Sequence, residues 1–238
     1  MPFCVGVRDG VLRDPEQKRK RSGPLTCRSV ATTDSPQTQP PTSYQYDRLR
    51  GKEVYLVSEQ KAVDITNLWN DSDTAVVFWA RSMGCFFCQE LARELRTDVL
   101  PKLQAANIKA FLVTIGTAER GLEFSELTAY PADNLLADPE NVTYDALQLK
   151  KGVVDTFFNI ETPLAIKDRI VKDGAAGLRH AISSWKPWIP PGQGQSRQQG
   201  GCYIFKGSEC IFEHKDKATG AHVDLNKVVQ IATSAGAA

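Results

Sequence analysis

Ala75-Val76-Val77-Phe78-Trp79-Ala80-Arg81-Ser82-Met83-Gly84-Cys85-Phe86-Phe87-Cys88 is the stretch that decides the fold. Its first six residues form a continuous apolar run, the pattern of a strand buried on both sheet faces. Directly after it, Phe87, Leu91, Leu95, Val99 and Leu103 recur at four-residue steps, which lays them along one stripe of a helix. Pro101 has no N–H for the Thr97 carbonyl and crowds that group, so it must kink or end the helix. Between strand and helix stand two cysteines with two residues between them. At a helix start the first thiol faces unpaired backbone N–H groups and the positive end of the helix dipole, which favour thiolate. Cys85 is therefore the expected attacking sulfur. Cys88, one turn further in, is the expected buried partner that resolves a mixed disulfide or a sulfenic acid on Cys85. Arg81 either adds positive charge beside the thiol or is solvated. The competing reading is a zinc half-site, but structural zinc wants four ligands. No second Cys-x-x-Cys exists, Cys202 and Cys210 stand on opposite arms of a predicted hairpin, and His180, His214 and His222 have no ligand spacing. The pair reads as redox, with no metal expected.

Working outward, Glu53 to Val57 has β-forming residues, and folding signals begin near Tyr46. Ile108 to Ile115 reads as a second buried strand, Glu119 to Ala129 as a helix, Asn134 to Ala137 as a short strand and Val142 to Leu149 as another helix. Regularity falls away after Lys151. Residues 152–199 carry Thr162-Pro163, Lys186-Pro187, Pro190-Pro191-Gly192 and a polar run, and read as a partly ordered insertion docked by its aromatic residues. Gly200-Gly201 introduces a hairpin with arms Cys202 to Phe205 and Cys210 to Phe212 around a turn at Lys206-Gly207-Ser208. Leu225, Val228, Val229 and Ala232 mark a last amphipathic helix. The fold class is α/β, with strands and helices alternating before the insertion and a hairpin and helix after it.

Residues 1–42 differ. The run Lys18-Arg19-Lys20-Arg21 is followed by Ser and Thr residues and then by Pro36, Pro40 and Pro41, with no sustained apolar period. Such a segment buries too little surface to offset its ordering entropy, so a disordered leader is expected, with the folded domain over residues 46–234. Its basic, hydroxyl-rich composition, and Cys27-Arg28-Ser29-Val30-Ala31 in particular, favour a chloroplast transit peptide. Asp9, Asp14 and Glu16 weigh against it, and a plain tail of a cytoplasmic protein or a nuclear signal are the alternatives. Across the chain, 29 Lys and Arg stand against 28 Asp and Glu, so the net charge of +1 gives no reason to expect nucleic acid or an anionic membrane as partner. Removing the leader would leave a mildly acidic domain, because seven of the basic residues and three of the acidic ones lie before Ala31. The longest apolar runs are far too short for a membrane span. Six cysteines are too few for a disulfide scaffold at this length.

The Cys-x-x-Cys after an apolar strand, with the elements that follow, resembles the thioredoxin superfamily. Three pieces in order, Phe78 to Cys88, Tyr144 to Gly152 and Gln198-Gln199-Gly200-Gly201, resemble its peroxiredoxin-like 2 family, related to alkyl hydroperoxide reductase and thiol-specific antioxidant proteins and including plastid-type members. The resemblance spans about residues 50 to 234. It implies a thioredoxin-like fold, a central mixed sheet with flanking helices and an insertion before the C-terminal hairpin. It also implies a thiol-disulfide oxidoreductase or antioxidant whose redox pair is Cys85 and Cys88. Substrates would be peroxides or disulfides, with no bound cofactor and with reducing equivalents from a thioredoxin-type dithiol or glutathione. Typical peroxiredoxins carry Pro-x-x-x-Thr-x-x-Cys; Ser82 keeps the hydroxyl three residues before Cys85, but Phe78 stands where proline would be. Whether peroxide is a substrate is thus left open. Where thioredoxins place a cis-proline opposite the redox pair, this chain has Gly200-Gly201, which would open space for a small substrate or for Cys202. Mammalian relatives imply a second activity, reduction of lipid endoperoxides to prostaglandin-type products, and a non-catalytic interaction module is the rival of a different class.

Cys202 is a possible third redox thiol, although a small buried strand residue is the favoured reading, as for Cys210. His214 reads as a strand-surface residue and His222 as a loop residue. Trp185-Lys186-Pro187-Trp188 is either a lid over a cleft or simply a docking contact. Glu90, Arg93, Glu94 and Arg96 read as a solvated helix face with local ion pairs.

Overall fold

The structure is a computed structural model that describes residues 42–151, 185–192 and 194–236. The expected leader, apart from Thr42, and residues 152–184 of the expected insertion lie outside the described residues. The apolar run forms the central strand β3 (Thr74–Ser82), every residue of which is buried. Successive side chains point to opposite faces, so one strand feeds two cores. Val76, Phe78 and Ala80 enter one cluster, and Ala75, Val77 and Trp79 enter the other.

The sheet is mixed and seven-stranded. Its other strands are β1 (Glu53–Leu56), β2 (Lys61–Asp64), β4 (Lys109–Ile115), β5 (Leu135–Ala137), β6 (Gly201–Lys206) and β7 (Glu209–Lys215). Their order is β2-β1-β5-β4-β3-β6-β7. β3 runs parallel to β4 and antiparallel to β6, and β6 pairs antiparallel with β7. Two parallel strands joined by a helix, then an antiparallel hairpin on the other side of the first strand, form the thioredoxin-like core that the sequence implies. One face is covered by α2 (Phe86–Glu94), α3 (Leu100–Ala105), α4 (Ala118–Thr128) and α6 (Leu225–Gly236), through Leu91, Leu103, Phe124, Val228 and their neighbours. The opposite face carries α1 (Tyr44–Leu49) and α5 (Val142–Ala146), through Leu49, Tyr144 and Ala146.

Several elements differ from the sequence reading. Pro101 does not stop the long helix. A π-helical turn, Leu95–Val99, absorbs it, and Pro101 falls in the first turn of α3, where a missing N–H is harmless. The Thr97 hydroxyl donates back to the Arg93 carbonyl at 3.1 Å. Leu91, Leu95, Val99 and Leu103 are buried along this segment while Phe87 is half-buried. α5 is shorter than the expected Val142 to Leu149, because Gln148 adopts a left-handed conformation (φ 53°). α1 and β2 carry no period long enough to predict.

α5 nonetheless explains one of the three resembling pieces. Asp138 accepts the Val142 and Thr143 N–H groups at 3.0 and 2.9 Å and so starts the helix. The Tyr144 hydroxyl then reaches the carbonyls of Ala80 (2.5 Å) and Val113 (3.2 Å), and Trp79 Nε1 donates to the Thr143 hydroxyl. The piece beginning at Tyr144 therefore ties down the carboxyl ends of β3 and β4, the edge at which open α/β sheets place their ligands.

Candidate functional site

At the end of β3 the chain turns through Ser82, Met83 and Gly84. The Met83 N–H donates to the Ile115 carbonyl at 3.2 Å and the Cys85 N–H to the Ser82 carbonyl at 2.9 Å. Cys85 is the N-cap of α2, in extended conformation (φ −74°, ψ 127°), and its carbonyl accepts the N–H groups of Cys88 and Gln89 at 3.1 Å. Both cysteines are free thiols; Cys85 is half-buried and Cys88 fully buried.

The surroundings drive the two thiols apart. A hydrogen bond from Cys88 is the main cause that pulls Cys85 down to about 6; burial opposes it, and Arg81, the Cys88 N–H and His222 reinforce it. Burial pushes Cys88 well up, as does its bond to Cys85. The half-buried sulfur is thus favoured as thiolate and the buried one as thiol.

Arg81 is buried, which overturns the solvated alternative. Its Nε donates to the Gln198 carbonyl (2.9 Å), Nη2 to the Ser196 carbonyl (2.5 Å), and Nη1 to the Thr219 hydroxyl (3.0 Å), while Nη1 lies 3.7 Å from Cys85 Sγ. The Arg81 backbone N–H donates to Cys88 Sγ at 3.2 Å. One guanidinium thus fastens the loop before β6, the loop after β7 and the thiol pair together. The Gln198 amide donates to the Lys150 carbonyl at 3.1 Å, and the Gln199 N–H donates to the same carbonyl at 2.9 Å. In this way the piece containing Gln198 meets the piece that begins at Tyr144, and both meet the Cys-x-x-Cys turn.

Among the other expected site residues, only the room expected at Gly200-Gly201 is corrected. Ser82 is joined to Cys85 through its backbone carbonyl, and it lines a neighbouring cavity. Gly200 and Gly201 do not open space: a Cβ on Gly200 would stand 2.0 Å from the Trp79 carbonyl oxygen and 3.0 Å from Asp216 Oδ2, and one on Gly201 would meet the His214 carbonyl at 2.5 Å. Glycine is used here because backbones approach closely. Cys202 pairs with Phe78 inside the sheet, is wholly buried, and is pushed well up by burial, so it packs as a small hydrophobe. Cys210 is also buried, its thiol bonded to the Phe212 carbonyl at 3.3 Å. Gly200→Ala should lower the unfolding free energy by about 2 kcal/mol, since neither neighbouring backbone is free to move. Urea titration checks this; a loss under about 0.5 kcal/mol would show that the close approach relaxes.

The sequence reading missed more than it misplaced. Glu90 is buried rather than solvated, and Arg93 pairs with it at 2.7 Å. Gln89, which the sequence reading does not single out, donates to the carbonyls of Met83 (2.9 Å) and Lys186 (2.8 Å). It thereby holds Trp185-Lys186-Pro187-Trp188 across the Cys-x-x-Cys turn. Trp185 Nε1 donates to the Gly84 carbonyl at 2.9 Å, and its ring meets Phe86 edge-on. Gly84 allows this approach, for a Cβ there would lie 1.9 Å from the Trp188 carbonyl. The tryptophan segment is a docking contact that also forms a wall of a mostly apolar cavity of about 190 Å³, with Ser82, Met83, Ile115 and Arg120 on the other side. His222 lies in the loop after β7, as expected, but pairs there with Asp216. Its Nδ1 lies 2.9 Å from Asp216 Oδ2, and His214 stands 3.4 Å from the other carboxylate oxygen. The signal was a six-residue spacing across a loop, which no helical or strand period marks.

Comparison with known proteins places the chain in a family. A family model described as AhpC/TSA antioxidant enzyme matches residues 94–218, more than half of the chain, in a span that begins after the Cys-x-x-Cys. The chain is 29% identical over 188 residues to the thioredoxin-like protein AAED1, chloroplastic, of Arabidopsis thaliana, covering 76% of this chain and 67% of that relative. It is 28% identical over 158 residues to the human peroxiredoxin-like 2C, covering 66% of this chain and 67% of the relative. A solved peroxiredoxin-like protein from Aquifex aeolicus superposes with a TM-score of 0.42 at 9% identity, over 77% of this chain and 82% of that one. With the sheet order and the family match together, the chain belongs to the AhpC/TSA antioxidant enzyme family, as a peroxiredoxin-like member of the thioredoxin superfamily.

Proposed function

We propose that the protein is a thiol-dependent oxidoreductase that reduces hydroperoxides or disulfides with Cys85 as nucleophile and Cys88 as resolving thiol. The observation that carries this reading is the split between the two sulfurs, Cys85 drawn down to about 6 at a helix N-cap and Cys88 held protonated behind it. With a hydroperoxide, the Cys85 thiolate attacks the outer oxygen, the O–O bond breaks, and Cys85 sulfenic acid and an alkoxide form; the alkoxide takes up a proton. The Cys88 thiol then attacks the sulfenic sulfur, an S–S bond forms and water leaves. A thioredoxin-type dithiol or glutathione returns two electrons and two protons to the disulfide. Family membership supports the antioxidant class, and the chloroplastic relative supports a plastid location with residues 1–42 as its address.

The test is stoichiometric. Reduced full-length protein treated with one equivalent of hydrogen peroxide should lose two titratable thiols, with Cys85 and Cys88 recovered in one disulfide-linked peptide by mass spectrometry. Retention of all thiols, or a disulfide that excludes Cys85, would overturn the proposal. The cavity behind Gly84 favours one further reading. Its walls of Met83, Trp188, Ile189 and prolines suit an apolar peroxide, including a lipid endoperoxide, over hydrogen peroxide. On that reading an alkyl hydroperoxide with a long apolar chain oxidises Cys85 at least tenfold faster than hydrogen peroxide does.

A further inference from the structure

The segment Trp185-Lys186-Pro187-Trp188 grips the Cys-x-x-Cys turn residue by residue. The Gln89 side chain is wholly buried, and its amide makes three bonds. Nε2 donates to the carbonyls of Met83 (2.9 Å) and Lys186 (2.8 Å), and Oε1 accepts the Lys186 N–H at 3.3 Å. The two bonds to Lys186 form a bridge of the kind that paired strands make. A buried amide so paired is costly to release, which makes the segment a fixed wall. Trp185 covers both chain neighbours of Cys85: its Nε1 donates to the Gly84 carbonyl at 2.9 Å, and its ring stands edge-on to Phe86. From the loop after β7, the Thr219 hydroxyl is held at 3.0 Å by Arg81 Nη1, which lies 3.7 Å from Cys85 Sγ. A Cβ on Gly220 would lie 3.1 Å from the Phe87 ring. Half-buried Cys85 is thus hemmed in by the tryptophan segment and by the loop after β7. Nearby backbone is engaged as well. The Gly84 carbonyl holds Trp185, those of Ser196 and Gln198 hold Arg81, and that of Gly200 accepts the Asp216 N–H at 3.0 Å. An extended chain docks by pairing with free backbone groups, and these four already hold donors.

We propose that the tryptophan segment, clamped by Gln89, selects the reductant: the Cys85–Cys88 disulfide is open to small thiols of the glutathione class and closed to protein dithiols. This rests on the thiol-disulfide reading of Cys85 and names the electron donor which that reading requires. A protein dithiol presents its sulfur on a folded surface, and even weak redox encounters between proteins bury on the order of 1,000 Å² in total. A contact of that size centred on Cys85 has to lie over the turn, where Trp185 and the 93% exposed Ile189 project. A small thiol needs only a line of approach to the half-buried sulfur. Its thiolate attacks Cys85 Sγ, since Cys88 is wholly buried; the Cys85–Cys88 bond breaks, and Cys88 leaves as thiolate and takes up a proton. A second small thiolate attacks the donor sulfur of the mixed disulfide, so the donor disulfide forms and Cys85 is released as thiolate. Two electrons pass from two small thiols to the pair. Of their two protons, one ends on Cys88 and the other is shared between Cys85 and solvent according to pH.

The experiment starts from full-length protein oxidised with one equivalent of hydrogen peroxide. Loss of the Cys85–Cys88 disulfide is followed by acid quench and mass spectrometry, with glutathione or reduced thioredoxin as donor at pH 7. The readout is the ratio of the thioredoxin rate to the glutathione rate, each per donor thiolate, because a ratio within one protein cancels any change in the disulfide itself. In wild type we expect glutathione to be at least as fast as thioredoxin. Gln89→Ala, which frees the segment, and Trp185→Ala, which removes the wall, should each raise the ratio by at least about tenfold. Trp185→Phe keeps a ring beside Phe86 and should keep the wild-type ratio. A wild-type disulfide that thioredoxin reduces faster than glutathione, or a ratio that stays level in both alanine variants, would overturn the selection while leaving Cys85 as nucleophile. A ratio that falls in them would overturn it too, by marking the segment as a docking surface for proteins. Protein in which peroxide forms no Cys85–Cys88 disulfide would instead overturn the oxidoreductase reading beneath it.

Discussion

Cys85→Ser is expected to abolish oxidation by hydroperoxide, with a loss of at least about 1,000-fold, because no other described thiol is both accessible and ionised at neutral pH. Cys88→Ala should behave differently. It keeps the attacking sulfur, so one peroxide equivalent still oxidises Cys85, but the product stops at sulfenic acid, trapped by dimedone, and no intramolecular disulfide forms. Cys88→Ala also removes the hydrogen bond that is the largest cause of the lowered Cys85 value. The sign follows: losing a donor to the thiolate raises the pKa, so the midpoint of iodoacetamide alkylation moves upward from about 6 toward the ordinary thiol value of roughly 8.5. Arg81, the backbone N–H at position 88 and His222 remain, so the shift stays short of that limit.

The rate at pH 7 is a poor readout of this shift. A full move to 8.5 would cut the thiolate fraction about 30-fold, yet a thiolate of higher pKa is more nucleophilic, with a slope of about 0.4 to 0.5, which returns roughly 10-fold. The net change is only a few-fold. The midpoint of the pH profile is therefore the quantity to measure, and a midpoint that stays near 6 in Cys88→Ala would show that Arg81 and the helix start set the thiolate without Cys88.

Arg81→Leu carries the second large effect. Three charge-assisted hydrogen bonds of a buried guanidinium are lost, and the carbonyls of Ser196 and Gln198 lose their donors. Hydrogen bonds to charged groups contribute about 1.5 to 3 kcal/mol each and are not additive when they share one side chain, so a loss of about 3 to 5 kcal/mol is expected. That is a large share of the roughly 5 to 15 kcal/mol that stabilises a domain. Urea titration of the reduced proteins measures it. Arg81→Lys keeps the charge near Cys85 but not the planar fork, so it should recover the lowered thiol value better than the stability. If Arg81→Leu unfolds within about 1 kcal/mol of wild type, the guanidinium is not what joins the loops.

How far each residue was legible depended on distance along the chain. Cys85 at the N-cap of α2 and Cys88 buried behind it follow from three-residue spacing next to an apolar strand, so local pattern sufficed. Pro101 shows a limit: its missing N–H predicts a break, but a π-turn keeps the apolar stripe facing the sheet at less cost than ending the helix. Gly200 shows another. A glycine where thioredoxins carry proline suggests room, and packing against Trp79 and Asp216 fills it.

By itself the sequence determined the order of strands, helices and hairpin from β3 onward and the place of the Cys-x-x-Cys turn at a helix start, because periods of two and about four residues are local properties. Only the tertiary structure decided that Arg81 is buried and joins loops 117 and 138 residues away, that Gln89 holds the tryptophan segment over Gly84, and that Asp216 holds His222. Those contacts depend on which loops the sheet order brings to the carboxyl end of β3, and no local period encodes that order.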